Sequence, residues 1–450
     1  MLGLGRGRLM ELRLALKRLE DKDLLHIVDE ETSTEYEIAA YLKKWDGKKA
    51  VLFEKPLLID GRRSAFRVVG GVATSRETLL VSFGVSDMKE MRNRIRRALK
   101  NPIPPVKGDP KWVKVNITLS DLPILKHYTG EPGPYMTASI VVFKDEDGLF
   151  SSSYHRMMPL GDKRLVLRAV EGRKLSRIIE RFSERDEDLP AAISIGSPLE
   201  VMVASAVPAE NMDKMGLAGG IAGEPVDLSP CEGVEAWAPS SSEIVICGKI
   251  LANERAPEGP FYEILGKDIV RQQPVFEVEE IYARPNGFYQ AILPAGSEHQ
   301  LLMGLPVEPL IEDRVSEVAD VVDVAMTPGG AGWIEAAISI RKSSPDQPAL
   351  AGLMAISAHK SLKRVIIVDD DVDVSNYVEV MRAVLQRAHI PDDFKVISGI
   401  KGSSLDHSNL REIELDGEKR VIRLPQGKMI VDATAKGPRE LTERPRNPYL

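Results

Sequence analysis

Cysteine is almost missing from this chain. Cys231 and Cys247 are the only two in 450 residues, too few for a disulfide framework and not spaced like a zinc site. A reducing, cytoplasmic setting is therefore the expectation. Long apolar runs are also lacking: none reaches the ~18 residues that a spanning helix needs, so no membrane span is expected. The opening twenty residues mix Leu with Arg at helical spacing. Arg6, Arg8 and Arg13 lend a weak presequence look, which Glu11 and Glu20 oppose, so the segment reads as an amphipathic helix and not as an export signal. There is no excess of positive charge, since 60 Lys and Arg stand against 67 Asp and Glu, and a generally basic nucleic-acid binder is excluded. None of the seven histidines forms an H-E-x-x-H pair, and neither a P-loop nor a G-x-G-x-x-G before a helix occurs. Nucleoside triphosphate and dinucleotide readings lose support.

What is present is an ordinary globular composition, 43% apolar and 28% charged, on a chain too long for one compact core. Apolar spacing predicts helices over 12–25 and 35–44, strands over 50–53 and 66–70, and a serine-capped helix start at 75–78. Pro102, Pro104, Pro105 and Pro110 then mark a boundary. From there to about residue 311 short β-branched runs (139–143, 191–195, 243–246, 275–281) predict a mostly antiparallel, barrel-like β domain with one helical insert, 173–185. The last part alternates strand and helix (332–340, 348–359, 364–368, 375–388), as an α/β sheet would. Its proline-bearing tail, 440–450, is expected to reach over a neighbouring surface. The expected domains are 1–110, 111–311 and 331–450, with 312–330 as a linker.

Three polar stretches could carry chemistry. Glu258-Gly-Pro-Phe-Tyr-Glu263 sets two carboxylates five residues apart around a bend that forbids regular helix, so both acids can reach one ligand or both can simply be solvated. Ser151-Ser-Ser-Tyr-His-Arg156 ends in a histidine and an arginine, and alone reads equally as a strand edge. Asp369, Asp370, Asp371 and Asp373 follow an apolar strand. Magnesium is one reading; capping the helix near Ser375 and pairing with basic neighbours is preferred, because consecutive acids at a strand end point to opposite sides.

Taken in order, these pieces resemble the UbiD-type prenylated-flavin decarboxylases over nearly the whole chain. The resemblance rests on Gly133-Pro-Tyr-Met-Thr137, Tyr154-His-Arg-Met157, Glu258-Gly-Pro-Phe-Tyr-Glu263, Glu298-His-Gln-Leu-Leu-Met-Gly304, Val368-Asp-Asp-Asp-Val-Asp373, Lys401-Gly-Ser-Ser-Leu-Asp406 and Lys428-Met-Ile-Val-Asp-Ala433. It implies an N-terminal α/β unit, a central flavin-binding split β-barrel and a C-terminal α/β oligomerisation domain making homodimers or homohexamers. It also implies reversible decarboxylation of an unsaturated or aromatic acid on prenylated FMN, or FMN, supplied by a flavin prenyltransferase. Loss of CO2 from an sp2 carbon leaves charge that no side chain can delocalise, so a cofactor must serve as electron sink. By motif match Arg156 would hold the substrate carboxylate, Glu263 would donate the proton that replaces CO2, and Glu258 would hold Arg156. Ser151, Ser153, Tyr154, His155, Arg173, Lys174 and Lys214 would face the flavin.

The departure lies at the metal. The family's flavin phosphate is held through a divalent ion, usually Mn, on an Asn, a His and a Glu with a K ion beside it. Here Ser151, Lys174 and Lys214 occupy those positions, so no metal ligand is expected. Two ammonium groups carry the same net charge as the usual carboxylate and two ions together, which suggests lysines serving the phosphate in their place. The alternative is that both lysines are solvated. Substrates implied by the resemblance are an anhydromevalonate phosphate of isoprenoid synthesis or a hydroxybenzoate. A second class of function, a silent or scaffold subunit that kept the fold, follows from the lost metal ligands. The retained Glu-Arg-Glu set favours the enzyme.

Overall fold

Apolar residues at 12, 15, 16 and 19 line one face of the first helix, Leu12–Asp21, in a computed structural model that describes residues 10–415, 418–437 and 441–442. That helix ends earlier than its spacing suggests, because Leu25–Ser33 pairs as a strand, parallel to Ala50–Leu57. Glu37–Trp45 is the crossover helix that a parallel pair requires. Ser75 accepts from the Thr78 N–H and starts Arg76–Phe83 as expected. Among the described residues, one compact unit runs to Glu263 and resumes over Lys267–Leu302, and the other takes Ile264–Gly266 and continues from Met303. The first expected domain and most of the second, all but 264–266 and 303–311, fall in one unit, and they share a sheet: Phe288–Ala291 completes the order Leu25–Ser33, Ala50–Leu57, Arg67–Gly70, Phe288–Ala291.

The central sheet is antiparallel throughout. Its order is Phe150–Tyr154, Ile140–Lys144, Leu189–Ile195, Ile244–Glu258, Arg271–Ala283, Arg164–Leu167, Met157–Pro159, with Val113–Lys114 added onto Arg271–Ala283. The path is open, so the expected split barrel is not seen as a closed ring. Its two end strands are nonetheless neighbours in sequence, joined only by His155 and Arg156. Two helices, Leu199–Ala206 and Lys214–Ala222, interrupt a region where only one insert was expected. Both are buried on nearly every side, so neither shows the one-sided pattern that betrays a helix. A Cβ on Gly220 would lie 2.8 Å from the Ala98 Cα, which is why the second of them needs glycine.

Cys231 and Cys247, too few for a disulfide framework and read as a sign of a reducing setting, form one disulfide with Cα atoms 6.1 Å apart. Both lie in one buried cluster with Trp112, Ala238, Val245 and Tyr282.

The second unit carries a five-stranded sheet ordered Asp320–Met326, Glu335–Arg341, Arg364–Asp369, Gln426–Ala433, Phe394–Ile400, whose three inner strands are parallel. Residues 312–330, expected as a linker, contain the end of helix Glu308–Val315 and the first of these strands. The aspartates after Arg364–Asp369 serve ion pairs: Arg387 binds Asp369 at 3.1 Å and Asp371 at 2.6 Å, and Arg341 lies 3.5 Å from Asp370. The cap of the next helix, Tyr377–Arg387, is Asn376 and not one of these carboxylates, although Asp373 accepts from the Ser375 N–H at 2.8 Å just before it. The tail expected to drape a neighbour lies, except for residues 441–442, outside the described residues. Among the described residues no helix is long and apolar enough to cross a membrane.

Candidate active site

Glu258 closes the long strand Ile244–Glu258, opposite Arg271. Gly259 follows at φ +95°, and a Cβ there would meet the Ile269 carbonyl oxygen at 2.9 Å, so a left-handed backbone and a close approach both require glycine. The Tyr135 hydroxyl accepts from the Gly259 N–H at 3.0 Å, and the Tyr135 and Phe261 rings lie 4.8 Å apart, fixing the bend from both sides. The short strand Phe261–Glu263 then returns toward Arg156, whose guanidinium stands 4.5 Å over the Phe261 ring.

The two carboxylates of the bend meet that guanidinium. Arg156 Nε donates to Glu258 Oε1 at 2.8 Å and Nη2 to Glu258 Oε2 at 3.0 Å, a two-pronged pair, while Nη1 donates to Glu263 Oε1 at 2.5 Å. A third acid, Asp268, accepts from Nη2 at 2.8 Å and from Arg271 at 2.5 Å. Four of the five N–H bonds of Arg156 are thus engaged, and one on Nη1 remains. Burial works against the charge of Arg156, but Glu258, Glu263 and Asp268 outweigh it and raise its pKa above the ordinary value. Burial likewise pushes Asp268 up, and the hydrogen bonds and charges of Arg156 and Arg271 overcome this to hold it at about 2. His299 completes the cluster with Nε2 3.9 Å from Glu263 Oε2. Its Nδ1 accepts from the Ala295 N–H, so neutral His299 carries its proton on Nε2; burial lowers its pKa, while Glu263 raises it and Arg156 lowers it further.

The residues expected to face a flavin divide into smaller groups. On the strand Phe150–Tyr154, Ser152 bonds Ser205 at 2.8 Å, which by alternation directs Ser151 and Ser153 to the opposite face. Ser153 bonds His155 Nε2 and Arg168 O bonds His155 Nδ1, each at 2.8 Å; burial lowers His155 to about 4, so the neutral ring donates from Nδ1 and accepts at Nε2. The Tyr154 hydroxyl is buried with no partner among the described residues, and burial pushes its pKa up. Arg173 is exposed just before helix Lys174–Glu184. Lys174 pairs with Asp145 at 2.7 Å, and Lys214, only 5% exposed, donates to the carbonyl oxygens of Ala204 and Val207. Asp268, His299 and Asp145 were not expected as site residues; His299 lies within a quoted motif, but Asp268 and Asp145 lie in none.

A divalent ion does not fit the Ser151, Lys174 and Lys214 set, since a protonated amine has no lone pair to give. Among the described residues no group of three or more His, Cys, Asp or Glu could hold a metal. A flavin fits better: the unpartnered Tyr154 hydroxyl and two ammonium groups are the kind of donors that a polar ring edge and a phosphate use.

Family models match nearly the whole chain. They are the N-terminal, Rift-related and C-terminal domains of 3-octaprenyl-4-hydroxybenzoate carboxy-lyase, over residues 16–98, 100–297 and 300–433. The anhydromevalonate phosphate decarboxylase of Methanothermobacter thermautotrophicus is 37% identical over 391 residues, 85% of this chain and 90% of that one. The enzyme of the same name from Archaeoglobus fulgidus is 34% identical, covering 83% and 85%. The solved UbiD-class enzyme HmfF from Pelotomaculum thermopropionicum, in complex with FMN, superposes with a TM-score of 0.89 at 31% identity, covering 98% of each chain. An evolved dimeric form of HmfF in complex with prFMN gives 0.85 at 30% identity, covering 98% of this chain and 97% of that one. Three family domains, matched in order on a mixed α/β fold, identify this chain as a member of the UbiD family of carboxy-lyases.

Proposed function

We propose that this chain decarboxylates an unsaturated, phosphorylated acid of the anhydromevalonate phosphate class, using prenylated FMN bound in the central domain. The observation that carries the reading is the meeting of Glu258, Glu263 and Asp268 on one buried guanidinium. When bound, the flavin would supply the electron sink for the carbon that loses CO2. Ser151, Ser153, Tyr154, His155, Lys174 and Lys214 would hold it, with the exposed Arg173 at the edge; the central sheet would serve as its split barrel.

The chain's own residues supply the rest. Arg156 offers the incoming carboxylate one free N–H, and a second once Glu263 turns away from Nη1, so binding the acid and releasing Glu263 are the same event. Glu263, released from Nη1, takes up a proton from solvent, delivers it to the carbon that has lost CO2 and returns to Arg156 as the carboxylate, with the Nε2–H of His299 facing it. Glu258 and Asp268 keep the guanidinium plane from following the substrate out. The anhydromevalonate class is favoured over a hydroxybenzoate by the two relatives of that name. The silent-scaffold alternative is not favoured, because a subunit without chemistry has no use for three carboxylates around one arginine.

The test is expression with a flavin prenyltransferase, followed by absorbance and mass spectra of the bound flavin. Turnover of anhydromevalonate phosphate in D2O should give a product with one deuterium at the decarboxylated carbon. Light scattering should report a homodimer or homohexamer. Colourless protein that releases no CO2 from either substrate class would return the scaffold reading.

A further inference from the structure

Lys214 is a buried ammonium that forms no ion pair among the described residues. It stands on the first turn of helix Lys214–Ala222, 5% exposed, and its hydrogen bonds go to two backbone carbonyls, those of Ala204 and Val207. A buried charge in that condition costs stability unless an anion reaches it.

Lys174 stands close enough for its positive charge to act on Lys214. Both are moored to one β-hairpin. At its turn, Asp145 takes Lys174 at 2.7 Å and folds back on the Leu149 N–H at 2.9 Å. On the returning strand, the Phe150 N–H donates at 3.2 Å to Asp213, the residue before Lys214. Asp145 therefore balances Lys174, while on Lys214 the opposing charge is that of Glu210, itself paired with Arg177 at 2.6 Å, so the pair is left short of a carboxylate of its own. The first turn of Lys174–Glu184 receives no side-chain cap, so its backbone N–H groups point the same sign of charge outward. Ser151, the third substituted position, sits next to Phe150 on the same strand.

We infer that this chain binds the phosphate of its flavin directly on the Lys174 and Lys214 ammonium groups, with no divalent ion between them. The inference rests on the flavin reading above. Burial, and then the nearby charge of Lys174, lower Lys214 to about 7, and a bound phosphate dianion relieves both costs.

FMN and riboflavin, which lacks the phosphate, are the probes. Their binding is followed by flavin fluorescence on the metal-stripped protein in EDTA and again with Mn added. FMN should bind equally well in both, within about twofold, and more tightly than riboflavin. Lys214→Met and Lys174→Gln should each weaken FMN roughly ten- to hundredfold and leave riboflavin unchanged, which also reports an intact fold. A Ser151→Asn, Lys174→His, Lys214→Glu triple variant should bind FMN only with Mn. FMN binding by the unaltered chain that depends on Mn overturns the inference, as does equal loss of both flavins in the lysine variants. If the unaltered chain binds neither flavin with or without Mn, the flavin reading itself falls.

Discussion

Asp268 Oδ2 accepts from Arg156 Nη2 at 2.8 Å, beside the hydrogen that the same nitrogen gives to Glu258. Its other oxygen holds Arg271 at 2.5 Å, so one aspartate joins the arginine of the site to a second cation. Asp268→Asn keeps the shape but offers one acceptor where two are used. Turnover should fall about tenfold while FMN affinity stays unchanged, the pattern of a positioning residue. The charge has a stability signature as well. Because the folded pKa lies at about 2, below the usual 3.8, the stabilisation is present above pH ~4 and is lost as pH falls through about 2. Acid-unfolding curves of the two proteins should converge there.

Arg156 faces three carboxylates in three directions. A lysine at this position keeps the charge but not the planar fork, so Arg156→Lys should lower kcat by about two orders of magnitude or more while the flavin stays bound. Unchanged turnover would mean that positive charge alone is enough, and that the geometry around the guanidinium has no part in the reaction.

The sequence made the bend legible but not the ring of acids around it. Glu258 and Glu263 announce themselves because a Gly-Pro pair between two acids forbids regular helix. Asp268 had no such signal, since its partner Arg156 lies 112 residues away and Asp268 joins the site as the last residue of Gly266–Asp268, the strand paired with Phe261–Glu263. Arg156 itself sits where the first and last strands of the open sheet path adjoin in the chain, a consequence of strand order that no local window contains. Leu199–Ala206 and Lys214–Ala222 escaped for a different reason, burial on nearly all sides, which erases amphipathic periodicity. The lysine substitutions were visible as residues. Asp145, which halves their joint charge, was visible only as an ordinary acid in a turn.

Cys231 and Cys247 are separated by 16 positions, and closing a loop of that length removes freedom from the unfolded chain worth about 3 kcal/mol. Thiol titration of the native protein should find no free cysteine before reduction. Reduction with dithiothreitol should then lower the melting temperature by several degrees and leave FMN affinity unchanged, since Trp112 and Tyr282, not the flavin-facing residues, pack around the bridge. Two free thiols in freshly purified protein would remove the cross-link from the account of stability.

Glu200 is a buried carboxyl outside the Arg156 cluster, accepting from the Met10 N–H at 3.0 Å. Burial raises its pKa from 4.5 to about 7, against the pull of the backbone N–H groups it accepts from. A raised folded value means that the folded state holds the proton more tightly than the unfolded one. The associated stability is therefore fully present below about pH 4.5 and lost as pH rises through about 7, a change on the order of 3 kcal/mol. Glu200→Gln stays neutral at every pH and can still accept from Met10. Urea unfolding should find the two proteins similar near pH ~5, and the glutamine variant more stable by a few kcal/mol near pH ~8. Parallel curves across that range would show that Glu200 carries its charge in the folded protein without penalty.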